Sequence, residues 1–109
     1  MKSLFRNIAA ALAAGVLLAP AAAMAGGPEV FKAQACTQCH SVTAAGIQRA
    51  ADKDEVAKDL STVGARHDKQ TIARYLLKKV PIEGEKHKVG WGGSTEDLKI
   101  LAEWLESLK

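Results

Sequence analysis

The run Cys36-Thr37-Gln38-Cys39-His40 constrains this chain more than any other feature, because it holds the only two cysteines and one of the three histidines in 109 residues. Two thiols separated by two residues lie on one turn of backbone, so each can add to one vinyl group of a porphyrin. His40, next to the second thiol, is then carried beneath the macrocycle with a ring nitrogen aimed at the iron. The pattern implies covalent attachment of one haem, through Cys36 and Cys39, with His40 as the proximal ligand. Two other chemistries use paired cysteines. A thiol–disulfide site wants a βαβ pattern around it, and no strand-like alternation flanks this pair. A zinc site needs a fourth ligand and usually a second cysteine pair, which the chain lacks.

Residues 1–25 read as a cleaved export signal rather than as part of the fold. Lys2 and Arg6 give a positive start, residues 8–18 are apolar and uncharged, and Ala23-Met24-Ala25 ends the segment with small residues at the positions a signal peptidase reads. Gly26 is the expected new N-terminus. A retained membrane anchor is the competing reading, but Gly15 and Pro20 interrupt a run at the short limit for a span, and no basic stop-transfer cluster follows. A periplasmic location follows, soluble after cleavage. It suits the motif, since haem is attached to such pairs outside the cytoplasm.

Removing residues 1–25 leaves 84 residues, 26–109, as one domain, and takes away Lys2 and Arg6, so the net charge falls from +3 to +1. Two haem propionates would bring it to zero or below, so nothing points to nucleic acid or to a membrane surface. A core this small needs a staple, and a covalent haem supplies one by giving the helices an apolar plate to pack on.

The pattern is all-α, with about four helices and loops between them. Pro28 suits the first turn of a helix through Glu29, Val30, Phe31 and Ala35 into the cysteine run. Residues 41–51 read as irregular with a turn at Gly46. Asp52 caps an expected short helix carrying Val56, Leu60 and Val63, ended by Gly64. Asp68 caps the next, where Ile72, Leu76 and Val80 repeat every fourth residue up to Pro81. Residues 81–93 contain one proline and four glycines and read as a loop. Ser94 and Asp97 resemble a capping box for the last helix, whose apolar stripe is Leu98, Leu101, Ala102, Leu105 and Leu108.

This order of parts resembles the class I c-type cytochromes, particularly the small bacterial monohaem members. The resemblance runs from Phe31, five residues before Cys36, through Asp59-Leu60-Ser61-Thr62-Val63-Gly64-Ala65-Arg66, to Ala102-Glu103-Trp104-Leu105. It implies a fold in which the first and last helices cross with Phe31 and Trp104 packed at the crossing. It also implies a sixth iron ligand from the loop before the last helix, usually methionine. The only methionines here are Met1 and Met24, both lost with the signal. At the matching place, 17 residues before Trp104, stands His87. The expected coordination is therefore bis-histidine, His40 with His87; His67 is the alternative, and Lys86 and Lys88 are poorer ones because a solvated ammonium is costly to deprotonate. Many members also carry Gly-Pro where this chain has Ala57-Lys58, and the proline carbonyl accepts a hydrogen bond from the proximal histidine. A backbone carbonyl near Lys58 is the available replacement.

A second imidazole in place of a thioether lowers the potential and leaves no vacancy on the iron. The reading is thus a low-potential electron carrier and not an enzyme, working with donor and acceptor proteins as a monomer or as a subunit of a periplasmic redox complex. Lys78, Lys79, Lys86 and Lys88 are candidates for a rim that docks an acidic partner, and Arg66 or Trp91 for holding a propionate. The alternative is a haem sensor or peroxidase-like protein with an open or displaceable sixth site.

Overall fold

The computed structural model describes residues 26–50 and 58–109. Among them are three α-helices and no strand: α1 (Gly27–Ala33), α2 (Lys69–Leu76) and α3 (Thr95–Glu106), joined by single turns of 3₁₀ helix and by loops. The expected export signal and the expected Asp52 cap lie outside the described residues. No described helix is long and apolar enough to cross a membrane.

Each helix starts where a side chain can satisfy its first amides. Pro28 occupies the first turn of α1, where its missing N–H costs nothing, and the Glu29 carboxylate accepts the Gly26 N–H at 3.2 Å. Asp68 Oδ1 accepts the Thr71 N–H at 2.8 Å, and Ser94 Oγ accepts the Asp97 N–H at 3.0 Å. Two ends differ from the sequence reading. α1 stops at Ala33 because Ala35 takes a left-handed conformation (φ 60°), which turns the chain into the cysteine run. α2 stops at Leu76 rather than continuing to Val80, because Lys78 also goes left-handed (φ 60°) before Pro81 can act. The helix expected up to Gly64 is absent from its described part. Leu60 lies in irregular backbone, and Val63–Ala65 is a 3₁₀ turn.

The core is the junction of these elements: Val30 and Phe31 of α1, Ile72 of α2, and Leu98, Leu101, Ala102 and Leu105 of α3 are buried. Burying a side chain such as Phe31 or Leu101 contributes roughly 1.5–3 kcal/mol. Val42 and Ile47 join them, both buried, through a tight loop in which each backbone N–H bonds the other's carbonyl at 3.0 Å or less. This stretch, read as irregular from the sequence, instead holds a 3₁₀ turn (Thr43–Ala45) closed by left-handed Gly46, and it feeds the core.

α1 crosses α3, and at the crossing Phe31 and Trp104 meet edge to face with centroids 5.7 Å apart and planes at 67°. Gly27 makes the approach possible, since a Cβ there would overlap the Trp104 side chain. The Val63–Ala65 turn docks on the far end of α3, where the Gly64 N–H reaches the Leu108 carbonyl at 2.7 Å. The start of α2 is tied to the same end by Lys69 N–H donating to Glu106 at 2.8 Å. His40 follows the C-terminal end of α1, and His87 lies in the loop between the end of α2 and the start of α3.

Candidate functional site

Directly after α1 the cysteine run forms one tight turn. The amides of Cys39 and His40 both bond the Cys36 carbonyl, at 3.2 and 2.9 Å, which places Cys36, Cys39 and His40 on one face. Both cysteine side chains are half-buried and the two are not joined to each other. Burial pushes the Cys36 thiol up from its usual range, which its own backbone contact offsets only in part. Among the described residues no group of three or more His, Cys, Asp or Glu side chains converges as a metal cluster.

The ring facing His40 is that of His87. Their centroids lie 6.3 Å apart and their planes 15° from parallel. His87 comes from the loop between α2 and α3, and the edge of the Tyr75 ring, on α2, packs against it at 5.2 Å and 68°. Each histidine is held through Nδ1: His40 donates to the Lys58 carbonyl at 2.9 Å and His87 to the Val89 carbonyl at 2.6 Å. A carbonyl only accepts, so both Nδ1 atoms carry a proton, and in the neutral ring it is Nε2 that has the lone pair to offer a metal. His67 lies between the 3₁₀ turn and the Asp68 cap, within electrostatic range of Glu83, and no ring contact joins it to His40 or His87 among those the structure shows.

These residues fit a haem. A ligating imidazole nitrogen sits about 2.0–2.1 Å from its metal, which puts the ring centre about 3.2 Å away, so two rings across one ion lie roughly 6.3 Å apart. Histidines that bind metals also direct their other N–H to a carbonyl or carboxylate, as both do here. The half-buried apolar side chains of Leu60, Val63, Leu76 and Trp91 pack on the core.

Several contacts were not foreseen from the sequence. The carbonyl anticipated near Lys58 is that of Lys58 itself, whose ammonium also pairs with Glu83 at 3.0 Å, four residues before His87. Glu83 is held below the usual carboxylate range, first by that hydrogen bond from Lys58. Tyr75 is another: its place three residues after buried Ile72 is the sequence signal that puts it on the same side of α2. Asp59 gathers its near neighbour Ser61 with Ser41 and Thr43, whose separations of 18 and 16 residues hid their meeting. Trp91 donates its single N–H to the Ser94 carbonyl at 3.1 Å, which removes it as a propionate donor.

No curated protein and no solved structure matches the chain. A family model described as cytochrome c matches residues 24–109, a span that takes in every described residue. Members of that family bind covalently attached haem c and transfer electrons to and from redox partner proteins, and Cys36 and Cys39 fit their Cys-x-x-Cys-His motif. On this match and on its all-helical architecture, the chain belongs to the cytochrome c family.

Proposed function

We propose that this cytochrome is an exported, low-potential electron carrier whose haem iron is held by His40 and His87. The observation that carries the reading is the near-parallel pair of imidazoles 6.3 Å apart, each with Nδ1 committed to a backbone carbonyl. Cys36 and Cys39 tether the group through two thioether bonds, and the turn they share with His40 fixes where that ring stands. A haem bound there supplies the reversible one-electron couple of its iron. The chain's part is to choose the potential and to guard the iron. Imidazole donates to oxidised iron better than a thioether does, so a histidine in the position of the family's usual methionine lowers the potential. Ligands on both faces leave no vacancy for oxygen or peroxide, which favours the carrier over a sensor or peroxidase. The lone pairs on both Nε2 atoms are set by the Lys58 and Val89 carbonyls.

Residues 1–25 serve as the export signal in this reading, and the mature protein begins at Gly26 in the periplasm. The exposed lysines Lys78, Lys86 and Lys88 lie around the His87 loop, and Lys78 Nζ bonds the Lys88 carbonyl at 3.4 Å. They form a basic rim for an acidic redox partner.

Absorption spectra of the purified protein test the carrier directly. The reduced protein should be low-spin and unchanged by carbon monoxide, and its mass should equal residues 26–109 plus one haem that resists acid–acetone extraction. Free thiols by alkylation, or a ready carbon monoxide complex, would contradict the reading.

A further inference from the structure

His40 takes its hydrogen-bond partner from Lys58, eighteen residues further along the chain, so something must keep that carbonyl in place. The Lys58 side chain does not do it. Its pair with Glu83 is open to solvent, with side chains 61% and 66% exposed, and such pairs hold geometry weakly. The next residue is bound quite differently. Asp59 Oδ1 accepts from Ser41 Oγ at 2.8 Å, from the Thr43 N–H at 2.8 Å and from Thr43 Oγ1 at 3.0 Å, while Oδ2 faces the Ser61 N–H at 3.4 Å. Two further bonds close the join: Leu60 N–H to the Ser41 carbonyl and Ala44 N–H to Ser61 Oγ, each 2.9 Å.

Ser41 follows His40 directly, and Asp59 follows Lys58 directly. One carboxylate thus ties together the two backbone segments that carry the two ends of the His40–Lys58 bond. We propose that Asp59 is a positioning residue for His40, holding the Lys58 carbonyl on Nδ1 and so fixing the orientation and donor strength of the iron-facing nitrogen. Hydrogen bonds to an ionised carboxylate are about twice as strong as neutral ones, which suits a clamp on exposed loops. Partial desolvation pushes the Asp59 carboxyl up, but the bonds from Ser61, Thr43 and Ser41 outweigh it and keep the group well below the usual carboxylate range. The inference rests on His40 being the proximal ligand.

The test compares Asp59→Ala, which removes the acceptor, with Asp59→Asn, which removes the charge but keeps an oxygen for Ser41 and Thr43. Exchange of the His40 ring N–H with solvent is followed by NMR in the reduced holoprotein, beside the midpoint potential. Asp59→Ala should exchange about tenfold faster than wild type, the factor that matches the loss of one ordinary hydrogen bond, and its potential should rise. Asp59→Asn should stay close to the wild-type exchange rate. Exchange at the wild-type rate in both variants, with equal rises in potential, would reduce Asp59 to a nearby charge and overturn the proposal. Should Asp59→Ala not fold, Ser41→Ala removes one of the three bonds to Oδ1 and should give an intermediate acceleration; a wild-type rate there is equally fatal. In wild type the His40 ring protons should be displaced far upfield by the porphyrin ring current. Their absence from that region would overturn the ligand reading itself, separately from the clamp.

Discussion

The imidazole rings of His40 and His87 lie 15° from parallel, and the edge of Tyr75 packs against the second of them. Parallel axial rings split the iron d orbitals strongly, so the oxidised protein should give a rhombic low-spin EPR signal. Tyr75→Ala removes the ring that limits rotation of His87 and should broaden that signal or move it toward the single large-g form of crossed rings. A wild-type protein already showing the large-g form would mean that the rings are not parallel around the iron.

Replacing His87 by methionine restores the donor usual in the family. His87→Met should raise the midpoint potential by on the order of 100 mV, a modest part of the roughly 0.8 V that axial ligands span. Spectroelectrochemical titration of both proteins measures the difference, and an unchanged potential would remove His87 from the iron.

Gly64 lies where the 3₁₀ turn meets the end of α3, and a Cβ there would run into the Glu106 carbonyl. Backbone cannot step aside as a flexible side chain can. Gly64→Ala should therefore destabilise the protein by about 1–3 kcal/mol, as overpacking does, visible as a lower denaturant midpoint. The haem spectrum should persist under native conditions.

Acid should weaken the fold through carboxylates bound in the native state. Asp59 and Asp68 are both held below their usual value of 3.8; for Asp68 the leading cause is the Thr71 backbone N–H. Their folded pKa values lie below the unfolded ones. The stability they contribute is therefore complete above about pH 4 and is lost as pH falls toward the folded values. Asp59→Asn should flatten the acid limb of thermal stability followed by circular dichroism, and leave it parallel to wild type at neutral pH.

Features written locally in the chain were legible: the cysteine turn, the Asp68 and Ser94 caps, the apolar stripe of α3, and the loop over residues 81–93. Phe31 and Trp104 were placed by resemblance, and they do meet at the crossing of α1 and α3. Features set by distant partners were not legible. Left-handed Ala35 and Lys78 end their helices without glycine or proline to announce it. Val42 and Ile47 enter the core from a loop with no periodicity. The Asp59 knot joins residues about eighteen apart, beyond any spacing rule for a helix or a turn.

The central claim is that His87 completes the iron coordination begun by His40, and carbon monoxide binding to ligand variants tests it most directly. Reduced wild type and His67→Ala should keep low-spin spectra unaffected by the gas, whereas His87→Ala should be high-spin and form a carbon monoxide complex at once. If His87→Ala instead stays six-coordinate and low-spin while His67→Ala opens to carbon monoxide, the sixth ligand is His67, and the parallel imidazole pair is not the axial pair of the haem.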